Sequence, residues 1–110
     1  MAIDNSLHES LESTYFKIKN YLDNIQLGRE HSPMLLKNEA LAELLEGFDI
    51  EALEEQSKDI DTLHAQLDDI KEVSNKIIED LNSDTDSVTT ATCVANGLDT
   101  VFLKIKNIVV

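Results

Sequence analysis

The 110-residue sequence predicts an all-α fold: a small antiparallel helical bundle or coiled-coil hairpin of three to four helices, forming a single domain over residues 1–110. The main observation is a seven-residue repeat of apolar residues in the middle of the chain, which is typical of a helix that buries a narrow stripe against other helices. The second is the scarcity of turn residues, since one proline and three glycines leave little material for an all-β fold. The core must be mainly aliphatic, because tryptophan is absent and other aromatic residues are few.

The first helix is predicted over residues 6–27. Ser6 and Glu9 have the spacing of a capping box, in which each side chain accepts a hydrogen bond from a backbone N–H at the helix start. Gly28 is expected to end the helix in a left-handed conformation. The apolar residues that line one face of this helix are Ile3, Leu7, Leu11, Ile18, Leu22 and Ile25.

A second, shorter helix is predicted over residues 33–46. Ser32 is expected as its N-cap and Pro33 as its first residue, where the missing N–H does no harm. Gly47 should close the helix as a corner or a kink, and Asp49 can cap the helix that follows. The inward-facing residues are Met34, Leu41, Leu44 and Leu45.

The third predicted helix, residues 50–82, carries the heptad repeat. Gln56 and Ser74 are the polar residues on this seam, and two interpretations are open: they fix register or partner choice, or they lie near helix ends or bends. Because one helix cannot bury its own stripe, the seam must pack against other helices. Its apolar residues are Leu53, Ile60, Leu67 and Leu81 at one heptad position and Leu63, Ile70 and Ile77 at the other.

A polar loop at residues 83–86 separates this helix from a last one, predicted over residues 87–108. Its first half is rich in β-prone residues, and Gly97 weakens a helix by about 1 kcal/mol, but the heptad spacing favours a helix. Two heptad helices joined by a short loop predict an antiparallel hairpin. The spaced residues are Ser87, Ala91, Val94, Leu98, Val101, Ile105 and Ile108.

The net charge of −13 is concentrated in the middle of the chain. Residues 39–86 contain sixteen acidic residues and three lysines. Such a polyanion repels nucleic acid and anionic membranes, so neither is expected as a partner. The acidic stretch either contacts a basic partner or only keeps the helices solvated, and the sequence leaves both possibilities open.

Cellular location is inferred from the cysteine content and the hydropathy pattern. Cys93 is alone, which excludes an intramolecular disulfide and fits a reducing compartment. No apolar run approaches the roughly 20 residues of a membrane span, and the first ten residues lack the features of a secretory signal. The expectation is a cytoplasmic protein.

The motifs in the sequence predict no enzyme, no catalytic residues, no cofactor and no metal site. Asn82, Asp84 and Asp86 alternate like calcium ligands, but the glycine and glutamate that an EF-hand loop requires are replaced by Ser87 and Cys93. The three histidines have no histidine or cysteine at metal-binding spacing. Cys93 next to the seam is interpreted as a half-buried core thiol rather than a nucleophile paired with His64.

The leading functional hypothesis is a non-enzymatic protein–protein interaction protein, a small acidic helical subunit or adaptor of a larger assembly. One alternative is an acidic chaperone or apparatus component of a protein-secretion system. Another is an acidic inhibitor or immunity protein that binds a basic partner; a charge-based complex would weaken steeply with salt. Homo- or hetero-oligomers are expected through the helix seams, and the predicted partner-binding residues are Leu53, Ile60, Leu63, Leu67, Ile70, Ile77, Leu98, Val101 and Ile105.

Overall fold

The all-α prediction is confirmed by a computed structural model, which describes residues 6–83 and 85–108. No strand occurs in these residues. A 3₁₀ turn at Arg29–His31 follows the first of five α-helices. Their bounds are Ser6–Asp23 (α1), Ser32–Gly47 (α2), Ile50–Gln56 (α3), Ile60–Leu81 (α4) and Ser87–Lys106 (α5).

Four of the helices stand at the corners of an elongated bundle that measures 46 × 23 × 21 Å. Helix α1 packs against α2 and α4, and α5 packs against the same two helices. The diagonal pairs are therefore α1 with α5 and α2 with α4. Every corner helix thus covers an apolar stripe on two neighbours.

Side-chain contacts fix the direction of the helices. His31, just before α2, lies 3.1 Å from the hydroxyl of Ser87 at the start of α5. Lys37 of α2 then forms an ion pair of 2.7 Å with Asp99 of α5, so these neighbours run parallel. The short link at residues 82–86 makes α4 and α5 the predicted antiparallel hairpin.

The link between α2 and α4 crosses the end of the bundle, because these helices lie on a diagonal. Helix α3 forms within this link and buries Ile50. The carboxylate of Glu54, almost fully buried, lies 3.8 Å from Nε2 of His64 on α4. On its other side α3 faces Ile105 at the end of α5. The connector therefore contacts α4 through Glu54 and His64 and borders a hollow that it shares with the end of α5.

The core is aliphatic, as predicted, and all four corner helices contribute to it. Burying one such side chain contributes about 1.5–3 kcal/mol of transfer free energy. Tyr15, Tyr21, Phe48 and Phe102 lie at its edge, half-buried. The fully buried residues include Leu7, Leu11 and Ile18 (α1), Met34 and Leu41 (α2), Leu63, Leu67, Ile70 and Ile77 (α4), and Val94, Leu98 and Val101 (α5).

The prediction that α1 extends to residue 27 is wrong, since the helix ends at Asp23. The side chain of Asn24 donates a hydrogen bond of 2.7 Å to the carbonyl of Asn20, which occupies an acceptor that a continuing helix would use. Gly28 is extended (φ −120°, ψ −178°) and not left-handed, and its N–H donates to Nδ1 of His31. Ile3 and the proposed capping side chain of Ser6 lie outside the described residues.

The continuous helix predicted over residues 50–82 is also wrong, because the chain breaks between Gln56 and Ile60. Ser57 and Asp59 are extended, and the Asp59 carboxylate accepts hydrogen bonds from the backbone N–H (3.1 Å) and the hydroxyl (2.7 Å) of Thr62. A local N-cap thus interrupts the helix although the heptad spacing of the apolar residues continues.

The remaining boundaries agree with the sequence to within two residues. Gly47 ends α2, and Asp49 caps α3 by accepting from the N–H of Ala52. Asp86 caps α5 in the same way. Ser32, however, is the first residue of α2 rather than its cap.

Candidate protein-binding surface

The structure places the predicted partner-binding residues inside the protein's own core. Leu63, Leu67, Ile70 and Ile77 of α4 and Leu98 and Val101 of α5 are buried, while Leu53, Ile60 and Ile105 are half-buried. Helices of the same chain cover most of the seam, so in this folded state the six buried side chains have almost no exposed surface, whereas the three half-buried ones remain partly accessible. Binding through them stays a prediction.

The two polar seam residues have different environments. Gln56 is exposed at the end of α3, next to the break, as the interpretation of a helix end requires. Ser74 is completely buried in the middle of α4, where its hydroxyl meets those of Ser10 and Thr14 on α1. This polar contact ties α1 to α4 at one register.

The outer side of α4 is an acidic ridge, which we define by Asp61, Asp68, Glu72 and Glu79. Intervals of seven, four and seven residues place all four on one face of a helix, and all are exposed. Asp68 lies 3.6 Å from Lys71 one turn along. The seven-residue spacing of these acids is visible in the sequence, so this surface could have been predicted without the structure.

A groove runs along the outside of the hairpin, between α4 and α5. Its wider part has a volume of about 560 Å³. On the α4 side the groove is lined by Val73 and Ile77 between acidic residues, and on the α5 side by Cys93, Gly97 and Thr100. The hydroxyl of Thr100 donates a hydrogen bond of 3.0 Å to the carbonyl of Asn96 within the same helix. The floor therefore combines the apolar side chains of Val73 and Ile77 with small residues of α5, and charged residues surround it.

Gly97 determines how closely the two helices approach beneath the groove. A Cβ atom at this position would lie 2.6 Å from Cγ1 of Ile77, inside van der Waals contact. Only glycine lets α5 come this near to α4. This close approach explains why a glycine, which weakens a helix, occupies position 97 in α5.

A second hollow of about 390 Å³ continues the groove toward the end of α5. It shares Asp69, Thr100 and Lys104 with the first hollow and adds Leu103. Leu103 is 59 % exposed, which makes it one of the most exposed large apolar side chains among the described residues. Together the two hollows follow α4 from Gln66 to Asp80.

Two lysines in the groove point toward acidic residues of the protein itself. Lys76 donates a hydrogen bond of 3.0 Å to Asp80, and this contact raises the pKa of the lysine. Lys104 of α5 reaches Asp69 across the groove at 4.0 Å. Exposed ion pairs of this kind contribute little free energy and are readily exchanged.

Helix α2 carries a contrasting exposed residue on the other side of the bundle. Leu36 is 63 % exposed and lines neither hollow of the groove. Single exposed leucines are common on protein surfaces and need no function. Leu36 therefore serves as a natural reference for Leu103.

Cysteine and histidine positions differ partly from expectation. Cys93 is exposed rather than half-buried, because it lies on the outer, groove side of α5. His64 contacts Glu54 near the start of α4, whereas Cys93 lies beside the end of α4, so the structure does not bring Cys93 and His64 together. His31 is buried and links Gly28 to Ser87, which is a structural role. Within the described residues no three histidine, cysteine or acidic side chains are grouped so as to hold a metal ion.

Comparison with protein-family models, curated proteins and solved structures gives no significant match. In the part of the chain that the structure describes, no helix has the length and hydropathy to cross a bilayer.

Proposed function

We propose that this chain is a non-enzymatic protein–protein interaction protein, a small acidic helical subunit or adaptor of a larger assembly. The observation that carries the proposal is the groove along α4 and α5, where Leu103 is exposed and Val73 half-buried on a bundle that has already buried most of its own heptad seam. The free energy falls when another chain covers apolar surface and removes it from water. A groove of this kind is a common docking site for a partner helix.

In this proposal the seam residues hold α4 and α5 in place, and the partner binds in the groove on the outside of these two helices. Leu67, Ile70 and Ile77 on one side and Leu98 and Val101 on the other hold α4 and α5 together. The groove outside them is then a rigid feature of two packed helices. A preorganised surface loses less conformational entropy on binding.

The acidic ridge supports a second candidate, an acidic inhibitor or immunity protein that binds a basic partner. Its four carboxylates follow one face of α4 like a row of backbone phosphates. Such a complex would depend mainly on charge. A secretion chaperone, by contrast, would use the apolar groove to shield a segment of its client and belongs with the first proposal.

Co-purification at two salt concentrations tests these functions. The tagged protein is isolated from its source cells in about 0.1 M and about 1 M NaCl, where the screening lengths are about 10 and 3 Å. We expect a defined partner that stays bound at the higher concentration. A strongly basic partner released well below 1 M supports the inhibitor instead, and no specific partner at either concentration contradicts both. We place the assembly in the cytoplasm, to which the lone exposed thiol is suited.

A further inference from the structure

We propose that the groove between α4 and α5 binds a basic amphipathic helix, supplied by the partner protein. This inference rests on the interaction function proposed above and adds the site and the chemistry of the occupant. Three features of the groove carry it: its length, its apolar floor and the acidic ridge beside it.

The length of the groove suits a helix. From Gln66 to Asp80 it follows fourteen residues of α4, or about 21 Å at 1.5 Å per residue. A helix of about four turns fills this distance. The small side chains of Cys93 and Thr100 on the α5 side let a partner backbone approach closely.

The floor of the groove supplies the apolar contacts. Val73 and Ile77 line the wider hollow, and the side chain of Leu103 stands exposed in the narrower one. An occupant with apolar residues at intervals of three and four would place one against each part. Leu103 is more exposed than Val73 or Ile77, so covering it buries more apolar surface than covering either of them.

Charge decides which amphipathic helix fits. The rim on the α4 side carries Asp69, Glu72 and Asp80, and the acidic ridge continues outward from Glu72. Lys76 and Lys104 are already directed at Asp80 and Asp69. Lysine or arginine beside the apolar stripe of the occupant would therefore face Glu72 and the acidic ridge, while acidic flanks would be repelled there. A second copy of this chain would bring one acidic ridge against another and is disfavoured.

The test uses a fluorescein-labelled peptide of about 18 residues, with leucine at helical spacing of three and four and lysine elsewhere. One control peptide has the same composition with scattered leucines, and another has glutamate in place of lysine. Fluorescence anisotropy measures binding to the full-length protein at physiological salt. We expect the patterned basic peptide to bind at least about tenfold more tightly than either control.

Two matched pairs of variants locate the binding site. Leu103→Lys and Glu72→Lys change the groove, whereas Leu36→Lys and Glu43→Lys make the same charge changes at exposed positions of α2. All four side chains are exposed, and circular dichroism checks that each variant keeps its helices. We expect the groove variants to weaken binding by about tenfold or more and the α2 variants by less than about twofold.

Three results would overturn the proposal. Equal losses in both pairs would show that the peptide follows net charge only. Equal binding of the scattered peptide would show that the apolar stripe is not recognised. A dimer in sedimentation that Leu103→Lys dissociates would assign the groove to a second copy.

The same variants distinguish this inference from the proposed function. If the cellular partner is lost with Leu36→Lys and retained with Leu103→Lys, the interaction function stands and the groove is the wrong site. If wild-type protein retains no specific partner, the proposed function fails whatever the peptide does.

Discussion

The hydroxyl of Ser74 on α4 lies 2.5 Å from the hydroxyl of Thr14 on α1, and both side chains are fully buried. Thr14 also donates to the carbonyl of Ser10 (2.9 Å), and the hydroxyl of Ser10 donates to that of Ser74 (3.0 Å). A polar residue in an apolar seam is thus satisfied by polar residues of the helix that covers it. The contact specifies how far α4 can slide along α1.

A double-mutant cycle measures this contact. Ser74→Ala and Thr14→Val should each lower the free energy of unfolding by about 1–3 kcal/mol, because each leaves a buried hydroxyl with fewer partners. The double variant should lose less than the sum of the two, since it removes both hydroxyls together. Chemical denaturation gives the three values. Strict additivity would show that the two hydroxyls are not coupled.

The assignment of the seam is tested by substitutions at neighbouring positions. Leu67→Asp should lower the free energy of unfolding by more than about 4 kcal/mol and leave the chain unfolded or nearly so, because it buries a charge in the core. Asp68→Asn changes the next residue, which is exposed, and should alter stability by less than about 0.5 kcal/mol. Melting temperatures from circular dichroism provide the comparison, and equal values for the two variants would refute the assignment.

Substitution by alanine should have opposite effects on stability at Gly97 and at Gly47. Gly97→Ala gains up to about 1 kcal/mol of helix propensity but forces a Cβ atom against Ile77, and overpacking of this kind costs about 1–3 kcal/mol. We expect a net loss of stability. Gly47→Ala, at the end of α2, meets nothing within 4 Å and should be neutral or stabilising. Thermal unfolding of both variants decides the matter, and a Gly97→Ala protein more stable than wild type would show that α5 can shift away from α4.

Much of the fold is predictable because it follows from apolar spacing. The ends of α2, the hairpin of α4 and α5 and the aliphatic core agree with the sequence. The failures occur where short polar side chains compete with helical hydrogen bonds. Asn24 ends α1 early, and Asp59 with Thr62 starts α4 anew. Such contacts involve a few neighbouring atoms and leave the heptad pattern unchanged, so periodicity does not reveal them.

The candidate site was harder to predict than the fold. Heptad spacing identifies the buried face of α4 but not which helix covers it. In the structure helices of the same chain cover Leu67 and Leu98, and binding of a partner through them stays a prediction. The groove depends on the distance between α4 and α5, which Gly97 and Ile77 set together. That distance is a property of two residues twenty positions apart. The ridge of Asp61, Asp68, Glu72 and Glu79 is local, and its spacing was available from the sequence.

The last prediction concerns pH and the N-cap of α5. The carboxylate of Asp86 accepts hydrogen bonds from the backbone N–H of Thr89 (2.9 Å) and from its hydroxyl (2.8 Å), and these lower the pKa of Asp86. A lowered pKa in the folded state means that ionised Asp86 stabilises the fold. This stabilisation is complete above the value of an unfolded aspartate, about 3.8, and is lost as the pH falls through the lower folded value.

Asp86→Ala should therefore lower the urea midpoint at a pH of about 7, and its difference from wild type should shrink as the pH approaches about 3. Asp23→Ala is the control, because Asp23 is exposed at the end of α1, where the helix dipole disfavours a carboxylate. That variant should be unchanged or slightly more stable at neutral pH. Urea titrations at several pH values compare the three proteins. A gap between wild type and Asp86→Ala that stayed constant down to a pH of about 2 would show that the charge of Asp86 does not contribute to the cap.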